Sequence, residues 1–270
     1  NILFVPVTYN SYDALDNYIA SIGKALDAAA DPTISVTIHV ADNSTIEKKE
    51  KKEVEGNISL LTSHYDNPGY LPAALKTVYS EDVAKYDYII ISNVDVVLDE
   101  TFFTALRNLK ADADTVWIAP FIWSPSEQRD VNPKIQERYT KKRLRLLRLF
   151  FRFPLVWYTY SKSVYRLRKQ EAPSSLPKGG PIYAGHGSFM IFRPEIFLQE
   201  PKLDYPVFLF CEEIYMAEMA LRIGKKVTHC PSVKVWDKEH ASTGLMNLWR
   251  YCKYNHDALS YIIRTFYEQD

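Results

Sequence analysis

The sequence predicts an α/β fold: a mainly parallel mixed sheet with flanking helices. Strand-like and helix-like patterns alternate through residues 1–123, and helices of ~10–15 residues between strands are typical of βαβ units with right-handed crossovers. One run, residues 88–91, is apolar, β-branched and too short for a helix, which indicates a buried strand. Of the 270 residues 47% are hydrophobic, so the chain can bury a large core as one domain.

Each element in this half follows from a local pattern. Strands are short apolar runs that end at turn residues, whereas helices repeat apolar residues at spacings of three and four. The predicted strands cover residues 2–8, 34–40, 58–62, 88–92 and 116–119. The predicted helices cover residues 12–30, 71–79 and 101–109.

The alternation stops in the second half of the chain. We predict a basic, aromatic helical insertion over residues 132–177 and one further strand over residues 183–192. A helix over residues 212–223 should end at Gly224, because glycine commonly terminates helices. Residues 242–270 repeat apolar side chains at helical spacing, which predicts an amphipathic C-terminal helix packed on the body or on a partner.

Composition argues against two further classes. No run approaches the ~20 uncharged apolar residues of a membrane-spanning helix. The cysteines are odd in number and widely spaced, which favours reduced thiols in a cytoplasmic protein and argues against a structural zinc site. They are Cys211, Cys230 and Cys252. The first residue is Asn1 rather than Met, which is consistent with a missing N-terminal segment.

The formal net charge of zero hides a strong asymmetry. Residues 138–169 contain eleven Lys and Arg and no acidic residue, so the rest of the chain is net acidic. A local basic excess typically meets an anionic surface, either a membrane or a nucleic acid. No nucleic-acid-binding module accompanies the charge, so we expect no nucleic-acid partner.

The basic segment also carries an apolar helical face. Leu144, Leu147 and Phe151 fall on one side of a predicted helix, and Trp157 follows at a position suited to a membrane interface. We therefore expect residues 138–169 to lie on an anionic membrane, with Leu147, Phe151 and Trp157 entering its apolar layer. The alternative is a solvated hairpin packed on its own domain or on a partner in a homo-oligomer.

Polar residues follow four of the predicted strands. Because the carboxyl ends of parallel strands lie along one edge of a sheet, these clusters should line one crevice. Each cluster alone is more consistent with an ordinary turn, but the four together predict a ligand site. The clusters are Thr8-Tyr9-Asn10, Asp42-Asn43-Ser44, Asp66-Asn67-Pro68-Gly69-Tyr70 and Asn93-Val94-Asp95. Asp95 is the candidate for holding a divalent metal against a nucleotide diphosphate.

An ordered set of motifs over roughly residues 2–242 resembles the family 2 glycosyltransferases. To the four clusters it adds Gly187-Ser188-Phe189-Met190, Glu212-Glu213 and His240-Ala241-Ser242. The resemblance implies the A-type glycosyltransferase fold, in which a Rossmann-like sheet is fused to an acceptor-binding half. Within that family, the sequence is most similar to enzymes of bacterial surface-polysaccharide synthesis, including rhamnosyltransferases.

The resemblance divides the single predicted domain by role. Its parts are a nucleotide-binding half (1–123), the basic insertion (132–177), an acceptor and catalytic half (178–241) and the C-terminal helix (242–270).

The resemblance also implies roles in donor binding. Thr8 and Asn10 would lie beside the nucleotide, and Asp42 would accept a hydrogen bond from the N–H of a uracil or thymine ring. The loop that contains Asn67 and Gly69 would close over the ribose and base.

A metal site is implied next to the diphosphate. Asp95 would be the metal-binding carboxylate, while Asn93 stands where the family usually has a first Asp and leaves one carboxylate fewer. Mg²⁺ or Mn²⁺ would neutralise the charge that builds on the departing diphosphate. His240 matches a late metal-side histidine of the family, and an imidazole ligand favours Mn²⁺ over Mg²⁺.

Two carboxylates are implied in catalysis. Glu213 would deprotonate the acceptor hydroxyl on the face opposite the leaving diphosphate, as an inverting in-line transfer requires. Glu212 would instead position the acceptor or the donor sugar. His186, between Gly185 and Gly187, would contact the diphosphate or the acceptor, because glycines let the backbone approach a ligand closely.

We therefore expect an inverting, metal-dependent hexosyltransferase that is peripheral at the cytoplasmic face of the plasma membrane. It would move a sugar from a UDP- or dTDP-sugar, such as dTDP-rhamnose, to a hydroxyl of a lipid-linked saccharide. One alternative is a nucleotidyltransferase that makes sugar nucleotides, although the first loop (Thr8 to Tyr12) lacks the Gly and Lys that such enzymes usually carry. The other is a non-catalytic saccharide-binding subunit.

Overall fold

The computed structural model of the chain describes residues 1–45, 57–168, 179–238 and 246–268. Its strands are β1 (Ile2–Thr8), β2 (Val36–Asp42), β3 (Ile58–His64), β4 (Tyr88–Asn93), β5 (Val96–Leu98), β6 (Thr115–Ser124), β7 (Arg129–Asp130), β8 (Gly180–Ile182), β9 (Phe189–Phe192) and β10 (Lys226–Asp237). Its helices are α1 (Tyr12–Ala29), α2 (Tyr70–Val78), α3 (Phe102–Arg107), α4 (Lys141–Arg152), α5 (Pro154–Arg168), α6 (Glu212–Arg222) and α7 (Leu248–Phe266).

The strands in the described residues form one mixed sheet. Its order is β3-β2-β1-β4-β9-β6-β10-β5, with β7 beside β6 and β8 beside β10. The pairs β1–β2, β2–β3, β1–β4 and β6–β10 are parallel, whereas β9 runs antiparallel to both β4 and β6. The predicted fold class, a mainly parallel mixed sheet with flanking helices, is confirmed.

Helices cover both faces of the sheet, and the central strands alternate between the two layers. On β1, Leu3 belongs to the core layer that contains α2, α6 and α7, while Phe4 faces the layer that contains α1 and α3. On β4, Ile89 and Ile90 divide in the same way. Strands buried on both sides have no polar face, which is why they appear as unbroken apolar runs in the sequence.

The strand predicted over residues 183–192 is wrong over its first six residues. Only Phe189–Phe192 joins the sheet, as β9. The backbone before it bonds outside the sheet ladder: the Ala184 N–H donates to the Ile135 carbonyl at 3.0 Å, and the His186 N–H donates to Asn132 Oδ1 at 2.7 Å. These partners satisfy the backbone groups, so residues 183–188 form a loop instead of a strand.

The basic segment forms two consecutive helices, α4 and α5, which we call the α4–α5 hairpin. Its inner apolar face packs on α7: Leu144 and Phe151 are buried, and the Phe151 ring centre lies 4.1 Å from that of Trp157 and 6.0 Å from that of Tyr251. This corrects the expectation that Leu147, Phe151 and Trp157 enter a membrane, because all three pack on the protein's own core. Among the described helices, none is long and apolar enough to cross a bilayer.

A buried carboxylate ties the start of this segment to α6. Glu218 on α6 accepts hydrogen bonds from Arg138 Nε at 2.7 Å, from the Tyr183 hydroxyl at 2.7 Å and from the Tyr267 hydroxyl at 3.0 Å. A buried charge needs such partners to offset its desolvation. Glu218 therefore fixes the chain entering α4, the loop before β9 and the end of α7 relative to one another.

Candidate active site

The polar clusters at the ends of β1, β2 and β3 meet at the carboxyl edge of the sheet. The Asn43 N–H donates to the Thr8 carbonyl at 2.9 Å, and the Asn10 N–H donates to Ser44 Oγ at 2.8 Å. The Asn43 side chain also donates to the Gly69 carbonyl, at 3.1 Å. The parallel register of these strands thus brings together residues more than sixty positions apart in the sequence.

Two buried polar atoms at this edge have no hydrogen-bond partner among the described residues. They are Thr8 Oγ1 and Asn43 Oδ1, which belong to adjacent strand ends. Buried polar groups are nearly always paired in native proteins, so these two atoms mark a place where a buried water or a bound group would complete the hydrogen bonding. Thr8 is one of the residues that the sequence places beside a nucleotide.

Asp42 is the last residue of β2 and is buried. Its Oδ1 accepts a hydrogen bond from the Ser44 N–H at 2.9 Å, and its Oδ2 accepts one from the Tyr12 hydroxyl at 2.8 Å. The same Oδ2 lies 3.5 Å from His64 Nδ1. A uracil or thymine ring N–H that donates to Asp42 would therefore share Oδ2 with the Tyr12 hydroxyl or displace that hydroxyl.

The loop before α2 crosses the crevice to the other half of the chain. Gly69 has φ of 116°, and a β-carbon at this position would overlap the Phe208 carbonyl and lie 2.8 Å from its Cα. Asn67 also has positive φ, of 42°. The Tyr70 N–H donates to the Phe208 carbonyl at 3.2 Å. Only glycine fits at position 69, and the loop is held against the segment that precedes α6.

Tyr70 connects the two halves of the site. Its hydroxyl donates to the Gly187 carbonyl at 2.8 Å. Burial raises the pKa of this hydroxyl well above its ordinary value, and the negative charges of Glu212, Asp95 and Glu213 raise it further. Asp95 lies between β4 and β5, whereas the two glutamates open α6. The carboxylates predicted to hold a metal and to act as a base therefore act on one buried phenol.

The backbone before α6 is unusual and fixes the direction of the two glutamates. Phe210 and Cys211 both have positive φ, of 75° and 60°, although neither is glycine. Such conformations cost about 1–3 kcal/mol each and persist where surrounding contacts impose them. One such contact is the hydrogen bond from the Tyr205 hydroxyl to the Phe210 carbonyl.

Glu212 and Glu213 occupy different environments. Glu212 is buried, its Oε1 accepts a hydrogen bond from the Phe210 N–H at 2.8 Å, and burial followed by the charge of Glu213 raises its pKa to about 8. Glu213 is half-buried, and its carboxyl carbon lies 3.9 Å from where a β-carbon on Gly187 would be. Glycine at position 187 therefore leaves room beside the Glu213 carboxylate.

His186 is a neutral imidazole at physiological pH. Burial lowers its pKa to about 3, with a smaller contribution from the charge of Lys134. Its Nδ1 accepts a hydrogen bond from the Ser188 N–H at 3.2 Å and lies 2.8 Å from Ser188 Oγ. This network assigns the ring proton to Nε2, which leaves an uncharged N–H donor beside the crevice.

Asn132 positions His186 and is a residue that the sequence did not single out for the site. Its Oδ1 accepts the His186 N–H at 2.7 Å, and its Nδ2 donates to the Pro120 carbonyl at 2.7 Å. Asn132 is itself buried. An amide with both ends bonded to the backbone holds the loop 183–188 at a fixed distance from β6.

The donor atoms near Asp95 suit a hard divalent cation. Asn93 and Asp95 supply amide and carboxylate oxygens, which Mg²⁺ and Mn²⁺ accept together with phosphate oxygens and water. Within the described residues no group of three His, Cys, Asp or Glu side chains is placed to hold a metal ion. His240, the other predicted ligand, lies outside the described residues. Asp95 is therefore the one predicted carboxylate ligand within the described residues.

Partly exposed aromatic rings border the glutamates. The Phe208 ring centre lies 5.0 Å from that of Tyr254, and the Phe210 ring centre lies 5.1 Å from that of Tyr251. Tyr251 in turn stacks on Trp157 of the α4–α5 hairpin, at 6.3 Å. We call these five rings the aromatic wall; it extends from the start of α6 to the hairpin.

Comparison with known proteins identifies the fold. No family model and no curated protein matches the chain. The structure is similar to that of GalNAc-T7 with UDP, GalNAc and Mn²⁺, with a TM-score of 0.57 and 13% identity over 100% of this chain and 48% of that chain. It is also similar to the mannosyltransferase PcManGT from Pyrobaculum calidifontis in complex with GDP-Man and Mn²⁺, with a TM-score of 0.51 and 11% identity over 93% of this chain and 60% of that chain.

These likenesses confirm the A-type glycosyltransferase fold that the sequence predicted. At such low identity they show the fold alone, and the chain spans about half of one of these proteins and 60% of the other. The narrower resemblance to bacterial rhamnosyltransferases remains a prediction.

Proposed function

We propose that this protein is a glycosyltransferase that moves a sugar from a nucleotide-diphosphate donor to a hydroxyl group of a saccharide. The observation that carries the proposal is the contact of Tyr70 at the start of α2 with Gly187, 2.8 Å from hydroxyl to carbonyl, because Gly187 lies beside the Glu213 carboxylate and the contact joins the edge of the sheet to the start of α6. Such a junction suits an inverting sugar transfer, in which negative charge develops on the leaving diphosphate while a base acts on the opposite face. The fold supports the proposal, since the two similar glycosyltransferases hold UDP or GDP-Man together with Mn²⁺.

The nucleotide belongs at the edge formed by β1, β2 and the loop before α2. Thr8 Oγ1 and Asn43 Oδ1 are buried there without a hydrogen-bond partner among the described residues, and a bound ribose or base would bring polar groups next to them. Asn10, Asp42 and Asn67 lie at or just after strand ends along the same edge. A UDP- or dTDP-sugar, such as dTDP-rhamnose, carries a base whose ring N–H can donate a hydrogen bond to the Asp42 carboxylate. Gly69 keeps the loop closed on Phe208.

The diphosphate belongs beside Asp95. A bound Mn²⁺ or Mg²⁺ supplies charge neutralisation of the departing diphosphate. Asp95 and Asn93, with His240 in the part of the chain that the structure leaves undescribed, are the residues that would hold it. The neutral His186 can donate from Nε2 to a phosphate oxygen and adds no charge of its own.

Glu213 is the proposed general base of an inverting transfer. It is the more accessible of the two glutamates, and its carboxylate lies beside Gly187, which carries no side chain that would compete with an acceptor hydroxyl. Glu212, with its raised pKa, stays largely protonated near neutral pH and can donate a hydrogen bond to a sugar hydroxyl. This division gives one carboxylate as a base and the other as a positioning group.

The acceptor belongs along the aromatic wall. Rings such as Phe208 and Tyr251 present apolar faces that suit the C–H faces of a pyranose, and their partial burial keeps them rigid. We propose a lipid-linked saccharide as the acceptor, in bacterial surface-polysaccharide synthesis at the cytoplasmic face of the plasma membrane. The concentrated positive charge of residues 138–169, close to the wall through Trp157, supports an acceptor carried by an anionic membrane.

A donor-hydrolysis screen tests the proposal. The purified protein is incubated with UDP-, dTDP- and GDP-sugars in Mn²⁺ or Mg²⁺, and release of the nucleoside diphosphate is measured. We expect slow, metal-dependent hydrolysis of one donor class, and we expect Asp95→Asn to abolish it. Saccharide binding without turnover of any donor would overturn the proposal in favour of a non-catalytic saccharide-binding subunit, and formation of a sugar nucleotide from a sugar phosphate would favour a nucleotidyltransferase.

A further inference from the structure

We infer that the outer face of the α4–α5 hairpin docks the protein on an anionic lipid bilayer. The side chains that enter the apolar layer are Leu146, Leu149, Phe153, Leu155 and Val156. This set differs from the apolar face that the sequence favoured, because the tertiary structure buries that face on α7.

Helix α4 carries two apolar stripes on opposite sides. Leu144, Leu147 and Phe151 are spaced by three and four residues and pack on the core. A second stripe is formed by Leu146 and Leu149, and Phe153 follows at the turn where α4 ends. Positions two residues apart on a helix differ by about 200° in direction, so the second stripe lies opposite the first. Only one stripe can face α7, and the other is left outside.

The second stripe is solvent-exposed and continues into α5. Exposed fractions are 51% for Leu146, 52% for Leu149, 51% for Phe153 and 70% for Leu155. Among the described residues, seven of the thirteen large hydrophobic side chains that are exposed lie between positions 146 and 160. Single exposed apolar residues are ordinary, but such a concentration of them within fifteen residues is typical of an interaction surface.

Basic side chains flank the exposed stripe. Lys142 precedes Leu146 by four residues and Arg152 follows Leu149 by three, so both lie beside the stripe on the helix surface. Arg145 precedes Leu149 by four residues and pairs with Glu268 at 3.1 Å. All three bases are exposed, and residues 138–169 contain no acidic residue. Apolar side chains bordered by cations match the interface of an anionic bilayer, where aliphatic groups enter the acyl layer and cations meet the headgroups.

The charge also decides between a bilayer and other occupants. A second copy docked through the same face would bring two strongly basic surfaces together, which like-charge repulsion opposes. A nucleic acid would satisfy the arginines but would leave Leu155 and Val156 without an apolar partner. A bilayer with anionic lipid satisfies both groups.

Docking in this way places the aromatic wall next to the membrane. Trp157 belongs to the hairpin and stacks on Tyr251 of α7, so the inner side of the hairpin borders the proposed acceptor site while its outer side meets lipid. The saccharide of a lipid-linked acceptor would then lie close to Glu213. This consequence rests on the proposed function, whereas the docking itself does not.

Vesicle sedimentation tests the inference with the whole protein. One vesicle preparation contains equal parts of phosphatidylglycerol and phosphatidylcholine, and the other contains phosphatidylcholine alone. We expect binding to the first and little binding to the second, weakened by salt. Leu149→Ser and Phe153→Ser should each lower the partition coefficient about tenfold, since each removes an apolar side chain from the acyl layer.

The matched controls are Leu198→Ser and Leu221→Ser. These leucines are 54% and 48% exposed and lie outside the hairpin, so their loss should leave vesicle binding unchanged. Circular dichroism checks that each variant is folded. Donor hydrolysis without vesicles, measured on the same samples, should be unaffected in all four variants.

Three results would overturn the inference. They are absence of binding to both vesicles, equal binding to neutral and anionic vesicles, and unchanged binding by the Leu149→Ser and Phe153→Ser variants. If those variants instead abolish a concentration-dependent dimer and wild type binds no vesicle, the face contacts a second copy. If the wild-type protein hydrolyses no donor but still binds anionic vesicles, the proposed catalysis is refuted and the docking inference is not.

Discussion

The hydroxyl of Tyr70 donates a 2.8 Å hydrogen bond to the carbonyl of Gly187. Tyr70 opens α2 directly after the loop that closes on Phe208, and Gly187 lies in the loop beside Glu213. The side chain of Tyr70 thus holds the backbone of the loop before β9. The contact therefore links the start of α2 to the loop beside the proposed base, Glu213.

Removing that contact should loosen the site. We expect Tyr70→Phe to lower the free energy of unfolding by about 1 kcal/mol, because the Gly187 carbonyl loses its donor. Turnover should fall more than donor affinity, since the loop beside Glu213 is no longer fixed. Chemical denaturation and steady-state kinetics measure the two effects. Wild-type kinetics in a destabilised Tyr70→Phe protein would show that the bond serves stability alone.

Asp95 should be essential for turnover. Asp95→Asn removes the carboxylate charge while keeping a similar shape, so we expect an intact fold and no donor hydrolysis. Excess EDTA should abolish wild-type hydrolysis, and added Mn²⁺ or Mg²⁺ should restore it. Full activity of Asp95→Asn in the presence of EDTA would refute the metal assignment.

The two glutamates should respond differently to the same substitution. Glu213→Gln should lower turnover with acceptor by about 10²–10⁴-fold, the usual contribution of general-base catalysis, with little change in donor affinity. Glu212→Gln should be milder, because the amide resembles the protonated form of Glu212 and can still accept from the Phe210 N–H. A crippled Glu212→Gln beside a normal Glu213→Gln would exchange the two roles. If neither substitution matters, the base lies elsewhere.

Glu212 should also make stability depend on pH. Its pKa is raised from 4.5 to about 8 by burial and by the charge of Glu213, so the unfolded chain loses this proton first as pH rises. Folding stability is therefore lost between these two values, by at most about 1.4 kcal/mol per pH unit for this one group. Glu212→Gln does not titrate. We expect the melting temperature of Glu212→Gln relative to wild type to increase from pH 5 to pH 8, measured by circular dichroism; a constant difference would contradict the assignment.

Two glycine substitutions should have opposite effects. Gly69→Ala places a β-carbon onto the Phe208 carbonyl at a φ that disfavours alanine, so we expect strong destabilisation and loss of donor binding. Gly23 lies within α1 and has no atom within 4 Å of its β-carbon position. Gly23→Ala should therefore stabilise the protein by roughly 0.5–1 kcal/mol. Thermal unfolding of both variants measures the contrast, and a harmless Gly69→Ala would show that the loop does not close on Phe208.

Some residues of the site carried no signal in the sequence. Tyr12 reaches Asp42 across 30 positions, and Asn132 reaches His186 across 54. In neither pair are the two residues related by helical or strand spacing or by a turn motif, so the sequence does not indicate the contact. Tyr70 stood within a polar cluster, but its bond to Gly187 spans 117 positions and follows only from the packing of the two halves.

The sequence by itself determined the fold class and the edge of the sheet where the polar residues gather. Apolar runs too short for helices could only be buried strands, and the carboxyl ends of parallel strands necessarily share an edge. Tertiary structure alone decided which of the two apolar stripes of α4, and which of the two adjacent glutamates, is buried. Both stripes of α4 have helical spacing, and packing on α7 buried Leu144 and left Leu149 exposed. Glu212 and Glu213 are identical in chemistry, and the backbone turn at Phe210 and Cys211 put one in the core and the other at the crevice, because burial depends on neighbours that are distant in the sequence.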